Sequence, residues 1–88
     1  MTPDEFAEDL RSQGYPEPIL VEYPSGGLEE HHHPFEAKAL ILSGEITIIT
    51  EGHATLLKPG DIFHLKLNQP HAERYGPTGV KYLVGRRR

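Results

Sequence analysis

The stretch "EEHHHPFEAKALILSGEITIIT", residues 29–50, sets three consecutive histidines ahead of a long β-rich segment. The histidine run is short, internal and followed by patterned apolar sequence, which separates it from a purification tag. If residues 31–43 are extended, side chains alternate between two faces. His31 and His33 then share a face with Phe35, Ala37, Ala39 and Ile41, while His32, Glu36 and Lys38 take the other. The lysine-bearing face is the solvated one, so the outer two histidines point inward. Imidazoles two residues apart on one strand lie about 6.5–7 Å apart at the backbone, close enough to bend onto one ion. The pair is incomplete, because a stable transition-metal site wants three protein ligands. A surface histidine pair is the plain alternative.

The segment around this stretch is built of short strands. "AKALILSGEITIIT" reads as two β-rich runs joined in a hairpin at Ser43-Gly44-Glu45. "EGHATLLKPGDIFHLKL" repeats the design, with Glu51-Gly52-His53 and Lys58-Pro59-Gly60-Asp61 as turns. "NQPH" makes another corner, followed by "AERY", "GPTG" and "VKYLVG"; "PILVEY", closed by "PSGG", comes before the histidines. About seven or eight short strands bounded by Gly, Pro or Asn predict an antiparallel sandwich or barrel. Ahead of them, "TPDEFAEDLRSQGY" predicts a helix over about 3–13. Thr2 caps it, Pro3 suits its first position, Thr2 and Glu5 have capping-box spacing, and Gly14 supplies a left-handed stop. Phe6 and Leu10 form a narrow apolar stripe, so the helix lies across one side of the strands.

Composition narrows the function. With 88 residues the chain is a single domain, and one this short buries only about 60–65% of its unfolded surface. It has no Trp and no Cys, so the core is aliphatic and neither a disulfide nor a thiolate site is available. A compact barrel or a dimer suits that limitation. No apolar run is long enough to span a membrane and the first residues are acidic, so the expected location is cytoplasmic. A net charge of −4 argues against non-specific nucleic-acid binding. The closing Arg86-Arg87-Arg88 reads as a frayed, solubilising tail. No Ser-His-Asp pattern, P-loop or dinucleotide fingerprint appears.

The chain resembles the cupins, small double-stranded β-helix proteins. Their first motif has H-x-H, then Glu four or five residues on, then Gly seven beyond; here this falls on His31-His32-His33, Ala37 and Gly44. Their second runs Gly, P-x-G, His, Asn; here Gly60 and His71 keep that register through "GDIFHLKLNQPH". The fifteen residues between Gly44 and Gly60 match a short family spacer. The departures are Ala37 at the Glu position, Lys66-Leu67-Asn68 at the P-x-G corner, Tyr75 at the final Asn, and Ser25 ahead of Gly26 at the opening Gly. Asn68 tolerates positive φ, so its turn survives.

The resemblance implies an all-β jelly-roll barrel over about 18–85 with one N-terminal helix, in a single domain spanning 1–88. It also implies one divalent transition metal (Fe, Zn, Ni, Mn or Cu) on His31, His33 and His71, with Ala37 leaving the carboxylate position empty. The function it implies is a mononuclear metal-dependent enzyme, of oxygenase or dioxygenase type (an oxidoreductase), acting on a small molecule in the barrel. The alternative is a non-catalytic binding or sensing module. The expected assembly is a homodimer. His64 is a candidate acid/base or alternative ligand if its face, shared with Ile62, turns inward. His53 and His32 are expected in solvent. Tyr75 and Tyr82 line either pocket or core, and Arg74 and Lys81 are expected at the surface.

Overall fold

The computed structural model describes residues 1–88. Helix α1, Pro3–Ser12, precedes strands β1 Ile19–Tyr23, β2 Gly26–His31, β3 Glu36–Thr50, β4 His53–Leu57, β5 Ile62–Leu65 and β6 His71–Arg87. The two long strands pair antiparallel from Glu36↔Arg87 to Ile49↔Ala72. On its other edge β6 carries β1 and β2, and β3 carries β5 and β4. Register shifts at Ile41/Ser43 and Gly44/Ile46 bend the long pair near its middle. One half therefore builds the sheet β1-β6-β3-β5 and the other the sheet β2-β6-β3-β4. Their inner faces close on one core, with Ala37, Ala39 and Ile41 from the first half and Ile46 and Ile48 from the second. Leu57, Leu65, Tyr82 and Val84 complete it. This is the all-β jelly roll with one N-terminal helix that the resemblance implied.

The expected hairpin at Ser43-Gly44-Glu45 does not form, and β3 runs straight through it. A two-residue type I′ hairpin needs positive φ at both central residues. Glu51 and Gly52 meet that condition with φ of 50° and 80°, and they do join β3 to β4. At Ser43-Gly44-Glu45 only Gly44 has positive φ, at 70°. There the chain crosses β6 instead of reversing: a Cβ on Gly44 would lie 2.1 Å from the Gly79 carbonyl oxygen. "GPTG" likewise lies within β6, opposite Glu45, where the register jumps from Gly44↔Val80 to Ile46↔Tyr75. The strands are thus fewer and longer than the turn signals suggest. Asn68 does adopt positive φ, 59°, at its corner.

Helix α1 forms with its expected signals: Thr2 accepts from Glu5 N–H, and the Glu5 carboxylate accepts from Thr2 N–H. Phe6, Leu10 and Tyr15 pack with Leu40 in a second cluster on the outer face of the first sheet. Gly85 lets the helix approach, since a Cβ there would meet Leu10 Cδ1 at 2.7 Å. The C-terminal arginines are not a frayed tail. Arg86 and Arg87 are the last paired residues of β6, opposite Ala37 and Glu36. Arg87 donates through Nε to Glu36 at 2.8 Å, through a terminal nitrogen to the Gln13 carbonyl, and lies 4.4 Å over the Tyr15 ring. A cross-strand carboxylate holds an arginine that composition alone assigns to solvent. No helix of the chain is long and apolar enough to cross a membrane.

Leu10 has no exposed surface. Leu10→Ala is expected to destabilise the fold by about 2–5 kcal/mol in urea unfolding. Arg87 first, then His64, holds the Glu36 carboxyl below its ordinary 4.5. A carboxylate depressed by folding contributes stability above its unfolded pKa, and that stability is lost as pH falls through the folded value. Glu36→Gln is therefore expected to lower the melting temperature above pH 4.5 and to converge with the parent in more acid solution, as thermal melts across that range will read.

Candidate metal centre

Three elements meet at one end of the barrel core. His31 closes β2, His33 stands in the link to β3, and His71 opens β6 directly opposite His31. The strand expected through residues 31–43 is interrupted at 32–35. Even so, His31 and His33 converge: their ring centroids are 4.9 Å apart, with His71 at 4.3 Å from His31 and 5.5 Å from His33. Glu73 joins them, two residues beyond His71 on the same face of β6. One ligand atom from each of His31, His33, His71 and Glu73 lies within 4.8 Å of all the others.

The backbone fixes which nitrogen each ring presents. His31 Nδ1–H donates to the Glu29 carbonyl at 2.7 Å, and His71 Nδ1–H donates to the Gln69 carbonyl at 2.9 Å. In both cases the partner sits two residues back along the chain. With the proton on Nδ1, each Nε2 carries a lone pair aimed into the cluster. Both Nε2 atoms are buried without a hydrogen-bond partner. The Glu73 Oε2 atom stands 3.2 Å from each of them, close but not aligned as an acceptor of a hydrogen bond. Lone pairs and a buried carboxylate that converge in this way repel until a proton or a cation sits between them. His71 is 1% exposed, so water is a poor substitute. The donor set of three imidazoles and one carboxylate fits a divalent transition metal.

Second-layer contacts hold the set in place. Tyr75 O–H donates to Glu73 Oε1 at 3.0 Å, and its ring stacks on Tyr23 at 4.8 Å. Burial first, then the Glu73 charge, pushes the Tyr75 phenol well above its ordinary pKa; the same two causes act on Tyr82. Both phenols stay protonated, and Tyr75 serves as a donor. His33 stacks on Phe35 at 4.9 Å. Burial, then the nearby His31 and His71, lowers its pKa and favours the neutral, ligating form. A cavity of about 30 Å³ opens beside the cluster, lined by His33, Phe35, Ala37, His71, Glu73 and Arg86 among others.

The structure brings together His31, His33 and His71, and leaves His64 outside. β5 pairs Lys38↔His64 and Ala37↔Leu65, so Phe63 and Leu65 face the core while His64 faces out with Lys38. There His64 Nε2 bonds the Glu36 carboxylate that Arg87 also holds. His53 and His32 are exposed as expected. Glu73 is the residue that the sequence reading missed. Its signal was the His-x-Glu spacing of residues 71–73, which repeats the His-x-His spacing of residues 31–33.

A family model described as Cupin domain matches residues 19–83. Comparison with curated proteins gives no match. Among solved structures, the DMSP lyase DddQ from Ruegeria pomeroyi DSS-3 superposes with a TM-score of 0.72 at 34% identity, over 82% of this chain and 38% of that one. An RmlC-like cupin from Shewanella frigidimarina NCIMB 400 gives 0.68 at 18% identity, over 80% and 63%. KdgF from Halomonas sp. gives 0.67 at 19%, over 82% and 69%. The latter two show a shared fold. The chain spans less than two thirds of the length of the first two.

Removing repulsion at the cluster should register as stability. Chelator-treated protein given Zn²⁺ or Co²⁺ at about a hundred times Kd is expected to gain roughly 2.7 kcal/mol, seen as a rise in melting temperature. His71→Ala is expected to lose most of that gain.

Proposed function

The chain belongs to the cupin family, and on that premise we propose that it is a mononuclear metal-dependent enzyme acting on a small molecule at the barrel end. His31, His33, His71 and Glu73 would hold one divalent transition metal. The observation that carries this is the pair of buried, unpartnered Nε2 atoms converging on the Glu73 carboxylate. When bound, such a cation supplies Lewis acidity or a redox centre at its remaining open positions. The chain's own residues do the rest. The Glu29 and Gln69 carbonyls orient the two imidazoles, Tyr75 fixes Glu73, and Phe35, Ala37, Phe63 and Leu65 keep water out.

Lewis-acid chemistry of the lyase type is the first reading, supported by the 34% identity to a DMSP lyase. The oxygenase-type reaction expected from three histidines rests on the donor set, and the relocated carboxylate leaves it fewer open positions. A binding or sensing module is the reading to which a pocket without turnover would lead. The expected setting is the cytoplasm and the expected assembly a homodimer, for which Ile19 and Leu20 on edge strand β1 offer apolar surface, 48% and 56% exposed.

Elemental analysis of untagged protein, purified without a nickel column or chelator, tests the metal claim. About one transition metal per chain is expected. Little should remain in His31→Ala/His71→Ala or in Glu73→Ala. A parent that stays metal-free after reconstitution overturns the reading. Turnover that persists without dioxygen would support the lyase type over the oxygenase.

A further inference from the structure

Two neighbouring arginines end β6, and the strand's alternation sends them to opposite faces. Arg87 turns outward and is fully engaged by Glu36, Gln13 and Tyr15. Arg86 takes the other side, opposite Ala37; it is exposed at the mouth of the barrel end and lines the cavity beside His33, His71 and Glu73. Its guanidinium lies 5.3 Å over the Phe35 ring, which in turn stacks on His33. Arg86 enters none of the chain's ion pairs, unlike Arg11, Arg74 and Arg87. Neither Glu73 nor Glu36 pairs with it: Glu73 accepts from Tyr75 and faces the three histidines, and Glu36 holds Arg87 and His64.

From this placement we propose that the molecule taken by the site is a short carboxylate, its carboxylate group held by Arg86 over the methyl group of Ala37. The proposal rests on the metal reading above, for the reacting end, and on Arg86 alone for the carboxylate. Arg86 also lines a larger outer hollow of about 360 Å³, with Gly14, Pro16, Phe35, Arg87 and Arg88. It thus stands between that hollow and the inner cavity of about 30 Å³. The inner space takes only about one small group such as a carboxylate, so the rest of the molecule lies toward the outer hollow. Charge sets the sign. A divalent cation on three neutral imidazoles and one carboxylate keeps one positive charge, and Arg86 adds a second. An anion offsets that positive charge, and a guanidinium fork matches a carboxylate through paired hydrogen bonds.

The test follows the Arg86 Nε–H signal by NMR in isotope-labelled protein, metal-free and Zn²⁺-loaded. Acetate, glycolate and malonate are titrated against acetamide and glycolamide. The carboxylates are expected to shift the signal saturably and the amides to leave it in place. Arg86→Gln, read at neighbouring amides, is expected to weaken carboxylate binding by about tenfold or more, with Arg86→Lys between, and with metal content unchanged. Equal binding by Arg86→Gln, equal shifts from the amides, or no saturable shift from any carboxylate overturns the proposal. Protein that takes no metal yet still binds carboxylates through Arg86 would fail the metal reading and leave the anion site standing.

Discussion

The pairing of β3 with β6 is the constraint on which everything else in this chain depends. Each of the other strands pairs with one of these two. The pair therefore serves both sheets, and its bend at Gly44 is what turns one ribbon into two facing layers. A side chain at residue 44 would collide with the Gly79 carbonyl, so closeness of the two backbones at the crossing is part of the architecture. The same pairing places Glu73 opposite Ile48, and β2, on the other edge of β6, sets His31 across from His71.

Inside that frame the site is held by short-range devices. Each of His31 and His71 gives its Nδ1 proton to a carbonyl two residues back, so backbone that already must turn also orients the ring. Position 37, where the family resemblance expects a carboxylate, holds alanine, and a carboxylate arrives instead from Glu73 on the opposite long strand. A donor set can keep its chemistry while changing the strand that delivers one member, provided the two strands are neighbours at that level. The vacated position then becomes space, and Arg86 faces it.

Much of this was legible in the residues, and the misses have physical causes. Alternation placed Ala37, Ala39 and Ile41 on one face, because inward and outward partners differ sharply in polarity there, whereas His31 and His33 converge across a break in the strand at 32–35. The helix was legible because its caps are local. Ser43-Gly44-Glu45 misled because a glycine with positive φ serves a crossing as well as it serves a turn, and only the distant Gly79 decides between them. Arg86 and Arg87 misled for the same reason: what holds them is roughly fifty residues away along the chain, at Ala37 and Glu36. Glu73 belongs to a spacing that a single-strand reading does contain, but its significance rests on His31 across the sheet.

β6 follows the other five strands along the chain, yet β1, β2 and β3 all require it as a neighbour. Until it emerges, the nascent chain can form only α1 and the pairings of β3 with β4 and β5. The apolar faces of Val21, Ala39, Ile41 and Ile46 then wait unpaired during synthesis. Contacts this distant in sequence fold slowly. Acidic residues outnumber basic ones 13 to 9 over the chain, and a net charge of one sign opposes association of such unpaired faces.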